Sequence, residues 1–269
     1  MADHGAQTNL QLYNQLVANS WSTEDLARVR TAYDFADRMF VGVRRASGKA
    51  FIAHLVGTAS VVADVDGRPD VVLAALLHSV YTGGASEISR KAPSRSTIRR
   101  VAGTATEALV YEYATRPWGP GPFADASANV ATFDRARRDV LLLRLANEVD
   151  ERADLGTRYA DKGTFLRDGD DALPPMAALA DQLECPKLAA TFRRLFDEER
   201  GVTVPHVLRS STRIPTVPVS DSVMARVSRR TKVFAAQGRR LLVSVPGARA
   251  AVRGLRRRRL RSRSFAGGR

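Results

Sequence analysis

From Trp21 to Glu199 the apolar positions recur every three or four residues, the spacing of one face of a helix. No stretch alternates with the period of two that a half-buried strand requires. Ser22, followed by Glu24 and Asp25, reads as a capped helix start, and the helix runs on through Leu26, Val29, Tyr33, Ala36 and Phe40. Gly48 breaks the chain before a second helix near 50–65. Gly67-Arg68-Pro69-Asp70 reads as a turn, and Pro69 opens a helix over Val71 to Val80 so apolar that it must be buried on most sides, with Gly83-Gly84 ending it. Helices are expected near 95–103 and 104–114, then a Gly/Pro-rich loop over 116–123. A long helix near 132–152 carries Val140, Leu141, Leu142, Leu143, Leu145 and Val149. Ala172 to Glu199 gives one or two more, with Pro174-Pro175 as a start and Pro186 as a break. The pattern predicts an all-α helical bundle over 21–200, preceded by an N-terminal helix or extension over 1–20.

Past Gly201 the pattern stops. Pro205, Pro215 and Pro218 among Thr, Ser and Val read as a linker over 201–220. In the segment 221–269, Val227, Phe234 and Leu241 recur every seven residues with Arg229, Arg230, Lys232, Arg239 and Arg240 between them. This predicts a basic tail, in part an amphipathic helix weakened by Gly238 and in part disordered. Charge separates the two parts. Residues 201–269 hold 17 Lys/Arg against the single acid Asp221, whereas residues 1–200 hold 25 Lys/Arg against 27 Asp/Glu. The net charge of +14 therefore belongs to the tail.

Composition narrows the class further. Hydrophobic residues make up 44% of the chain and aromatics 7%, which suits packed helices better than a sandwich of strands. The single cysteine, Cys185, excludes an internal disulfide, fits a reducing compartment and reads as a buried helix residue. No apolar run reaches the roughly 18 residues of a spanning helix. The opening Met1-Ala2-Asp3-His4 lacks the basic-then-apolar order of a secretory signal. The expected location is the cytoplasm, with peripheral attachment to a membrane through the tail.

Three words carry the candidate chemistry: Ser47-Gly48-Lys49-Ala50-Phe51-Ile52-Ala53-His54, Ala74-Ala75-Leu76-Leu77-His78-Ser79 and Leu145-Ala146-Asn147. In order and spacing, over residues 33–155, they resemble the HD-domain superfamily, and most of all the RelA/SpoT-type domain that removes pyrophosphate from (p)ppGpp. The resemblance implies an HD-like bundle with His54 and His78 as metal ligands. Ser79 takes the place of one ligand aspartate and Asn147 of the other. Thr82 and Gly83 fall where that family carries the acids that serve the attacking water. Arg45 matches a residue that contacts the nucleotide, and Ala46 replaces its basic neighbour. His78-Ser79-Val80-Tyr81 also resembles a little-characterised group of HD-like proteins with His-Ser-x-Tyr in place of His-Asp.

The replacements change the expected chemistry. A hard divalent ion such as Mn²⁺ prefers anionic oxygen, and Ser79 and Asn147 offer only a neutral hydroxyl and a neutral carbonyl. Water activation needs a bound metal and a base, and neither Thr82 nor Gly83 is one. Asp150 and Glu151 lie one helical turn beyond Asn147; they are expected to be solvated or ion-paired, with a role as substitute ligands as the other reading. The leading expectation is a degenerate HD-like domain that has no resident cofactor and binds a small molecule or a protein. An active phosphohydrolase using a divalent metal such as Mn is one rival, and a nucleic-acid-associated protein working through its tail is the other. The tail, with Arg256, Arg257, Arg258 and Arg259 as its densest anion-binding run, suits anionic lipid, nucleic-acid phosphates or neither. The apolar stripe favours lipid, and the scarcity of aromatics argues against base stacking.

Overall fold

The computed structural model describes residues 5–45, 47–82, 92–118, 120–159 and 173–209. Gly83, the linker beyond Arg209 and the tail, with Arg256 to Arg259, lie outside the described residues. Among the described residues the regular elements are helices: α1 (Asn9–Ala18), α2 (Thr23–Phe40), α3 (Phe51–Val65), α4 (Pro69–Leu77), α5 (Arg95–Ala102), α6 (Thr104–Thr115), α7 (Pro120–Asn129), α8 (Arg135–Arg152), α9 (Gly156–Tyr159), α10 (Leu173–Gln182) and α11 (Pro186–Glu199). The only β contact among them is an isolated antiparallel bridge between Arg44 and Ala50. The all-α expectation therefore holds.

Local signals set the helix ends. The Thr8 hydroxyl accepts from the Gln11 N–H and the Gln11 side chain answers at the Thr8 N–H, a capping box that starts α1. Ser22 and Asp134 accept from Asp25 and Arg137 at the starts of α2 and α8. Pro69 and Pro186 occupy first-turn positions, where a missing N–H costs nothing.

At the centre lies α4, with every residue from Val71 to Leu77 buried. It packs on α3, α8, α2 and α6. Each fully buried Leu there contributes about 1.5–3 kcal/mol by removal from water. The N-terminal segment is a true helix, and its Leu12 and Leu16 join the same core. A buried ion pair ties α11 to the end of α8: Arg152 Nη1 lies 3.2 Å from Glu199 Oε2, and the Thr157 hydroxyl donates to Glu199 Oε1.

Three expectations need correction. The apolar helix after Pro69 stops at Leu77 rather than Val80, and His78 caps it while the chain turns through Ser79 to Thr82. The loop expected over 116–123 is shorter, because α7 begins at Pro120, a residue suited to a first turn. Cys185 is not a buried helix residue. It is half-buried in the turn before α11, where Glu184 takes φ 62° and the thiol lies 3.5 Å from the Leu183 carbonyl.

Candidate functional site

Helices α3, α4 and α8 converge on one buried polar cluster. His54 sits in the first turn of α3, His78 at the C-terminal cap of α4 and Asn147 in the middle of α8. Their relative exposures are 1%, 1% and 4%. The imidazoles meet edge to face with centroids 5.2 Å apart, and Phe51 and Tyr113 extend the stack on either side.

The hydrogen bonds fix the protons. Asn147 Nδ2 lies 3.0 Å from His54 Nε2 and 3.4 Å from His78 Nε2, while Arg144 Nη1 donates to Asn147 Oδ1 at 2.8 Å. A guanidinium only donates, so the oxygen of the amide must face Arg144 and its NH₂ must face the histidines. Both Nε2 atoms are then acceptors. Each ring carries its proton on Nδ1, where His54 donates to Asp150 Oδ2 at 2.7 Å and His78 to the Ala75 carbonyl at 2.8 Å. Burial pulls His54 down to about 4, helped by the Arg45 charge and opposed by Asp150. Burial likewise lowers His78, and the neighbouring His54 adds to the shift. Neutral imidazoles are what the geometry requires, since protonation would set an N–H against the Asn147 NH₂.

Asp150 anchors the cluster from behind. Besides His54 it receives Lys49 Nζ at 2.6 Å and Gln7 Nε2 at 3.4 Å. Its burial opposes ionisation, but the bond to His54 and the Lys49 charge prevail and hold the carboxyl below its ordinary range. The carboxylate reaches this position only because residue 57 of α3 is glycine: a Cβ there would lie 1.7 Å from Asp150 Oδ1. A tight turn brings Lys49 and Arg45 over the cluster, with Arg45 N–H bonding the Lys49 carbonyl and Gly48 at φ 89°. Arg45 pairs with Glu151 and lies over the Phe51 ring.

The structure thus brings His54, His78, Asn147 and Asp150 together. One expectation about them is revised. Asn147 presents its NH₂, not its carbonyl oxygen, to the two rings. Asp150 is ion-paired with Lys49 and buried, and it holds the Nδ1 side of His54, behind the ring, rather than standing beside Nε2 as a substitute ligand. Glu151 is ion-paired, with Oε1 3.9 Å from His54 Nε2. Ser79 is buried in the turn after His78, and among the described residues the bonds joining the histidines and Asn147 do not include it. As arranged, the donor set does not fit a divalent ion. The two lone pairs that would reach a metal meet an amide NH₂, and among the described residues no three His, Cys, Asp or Glu side chains are grouped to hold one.

Tyr81, the last residue of the His-Ser-Val-Tyr word, leaves the cluster. Its hydroxyl donates to Glu107 Oε1 at 3.1 Å, and Arg95 and Arg99 close on the same buried carboxylate. No helix among the described residues is long and apolar enough to cross a membrane.

Comparison with known sequences adds one match. A family described as a domain of unknown function, DUF6817, matches residues 39–117. That span holds Arg45, His54, His78 and Ser79 but ends before Asn147 and Asp150. No curated protein matches the chain.

Proposed function

We propose that this chain is a non-catalytic HD-like domain whose ancestral metal centre has become a structural clasp, and that it acts by binding a small molecule or protein while its cationic tail engages an anionic surface. One observation carries the reading: the Asn147 NH₂ sits where the Nε2 lone pairs of His54 and His78 converge. Each imidazole is satisfied at both nitrogens, as buried polar groups must be, and the three helices are tied together without a metal. The lost acids at Ser79, Thr82 and Asn147 argue in the same direction.

The rival is a metal-dependent phosphohydrolase acting on (p)ppGpp or another nucleotide. It finds support in the Asp150 carboxylate behind His54, an arrangement that also orients histidine ligands in metal sites. Metal analysis of the purified full chain, with a nucleotide hydrolysis panel, separates the two. The proposal expects no stoichiometric Mn, Fe or Zn and no turnover. Stoichiometric metal that disappears in His78→Ala sinks it. For the tail, the charge of residues 201–269 and the Val227/Phe234/Leu241 stripe favour anionic lipid over nucleic acid.

A further inference from the structure

We infer that Arg144 is a positioning residue that closes the histidine centre to cations by fixing which end of the Asn147 amide faces it; this rests on the reading above that the centre is a metal-free clasp. Exchange of an aspartate for an asparagine does not by itself refuse a metal. An amide has a carbonyl oxygen, which is a good donor to hard cations, and a half-turn of the side chain exchanges its ends. Here that half-turn is blocked. It would set the NH₂ against the Arg144 guanidinium and Oδ1 against two imidazole lone pairs, leaving buried groups mispaired on both sides.

Arg144 is itself held in place. It pairs with Glu148 one turn along α8, reaches the Tyr113 hydroxyl at 3.3 Å, and lies over the Trp118 and Phe123 rings at 5.6 and 5.9 Å from their centroids. Its side chain is 12% exposed and that of Glu148 is 7%. Asn147, held by Arg144, therefore does what a bound metal would do: it bridges the two histidines.

The test replaces both members of the ion pair, Arg144→Met with Glu148→Gln, so that no charge is left buried alone. Co²⁺ is titrated into the full chain and followed by its visible ligand-field absorption, with circular dichroism to verify folding. The wild type is expected to show no saturable site at the histidines. The double variant should gain one, with apparent affinity rising ~10- to 100-fold, the range in which outer-shell groups tune metal sites, and added His78→Ala should remove it. A folded double variant that refuses Co²⁺ as the wild type does overturns the role of Arg144 and leaves the clasp standing. A wild type that takes up Co²⁺ in a His78-dependent way overturns the clasp itself. If the double variant does not fold, ¹⁵N spectra of the wild-type histidines decide: both rings must carry the proton on Nδ1, with Nε2 accepting from the Asn147 NH₂. An Nε2–H on either ring refutes the amide orientation.

Discussion

A buried histidine that must stay neutral makes a protein acid-labile well above the pH at which carboxylates titrate, and His54 should do so here. In the unfolded chain its imidazole takes a proton near 6.5, whereas in the fold burial holds it at about 4. The folded pKa is the lower one. Between the two values the unfolded state binds more protons, so stability is complete above about 6.5 and drains away as pH falls toward 4. Integrating the two titration curves from pH 7 to pH 5 gives a loss of about 2 kcal/mol from His54 alone. His78 is shifted in the same direction and adds to the loss. The folded Asp150 carboxyl lies below its ordinary 3.8, and Glu107 below its ordinary 4.5, so both weaken the fold only at lower pH.

Against a total stability of about 5–15 kcal/mol, 2 kcal/mol is readily measured. Urea denaturation at closely spaced pH values between 4.5 and 7 should give a midpoint that falls steadily on acidification. The slope should become shallower in His54→Gln, which cannot titrate. If the wild-type midpoint is flat over this range, or if His54→Gln keeps the full slope, then the histidine is not held neutral and the hydrogen-bond assignment of the cluster is wrong.

Three further outcomes follow from the same structure. Gly57→Ala puts a methyl group 1.7 Å from Asp150 Oδ1, so the carboxylate must leave its partners. The gain in helix propensity, at most ~1 kcal/mol, will not offset overpacking of about 1–3 kcal/mol plus the lost hydrogen bonds, and thermal melts should show net destabilisation. Glu199→Ala removes the carboxylate that Arg152 and Thr157 share and should lower the urea-derived stability by about 1–3 kcal/mol; no measurable loss would show that the pair is not formed. Truncation after Arg209 should abolish sedimentation with phosphatidylglycerol vesicles while leaving the melt of the helical part unchanged, and binding by the full chain should weaken steeply with salt.

The three histidine and asparagine words were legible in the sequence because each falls on a helix whose register the apolar periodicity already sets. Once α3, α4 and α8 pack through their apolar faces, His54, His78 and Asn147 have to meet. The partners that decide what the meeting means were harder to see. Gly57 did leave a signal, since a glycine in the interior of an apolar helix, three residues past a histidine, marks a close approach of another chain segment. Lys49 lies within the segment that leads to His54, but its pairing with Asp150 depends on the turn at Gly48 folding back over α8. Gln7 comes from a segment whose docking no local pattern announces. Glu199 sits 47 residues from Arg152, and nothing in the spacing links them.

Asp150 shows where sequence spacing stops being informative. Its offset from Asn147 places it on the correct side of α8, and that much was readable. Which imidazole nitrogen it meets depends on the rotation of α8 against α3, which the pattern does not encode. On the Nε2 side it would have placed an anionic oxygen beside the open lone pair; on the Nδ1 side it fixes the His54 tautomer and aims that ring's lone pair at Asn147, as the Ala75 carbonyl does for His78. The same logic applies to Asn147. That residue 147 is a neutral amide is visible in the sequence, but which end of it faces the histidines depends on Arg144, three residues earlier on the same helix, which takes the oxygen. An i, i+3 pair of Arg and Asn on a buried face is a readable signal, and beside two buried histidines it predicts an amide whose oxygen faces the guanidinium and whose NH₂ faces the rings.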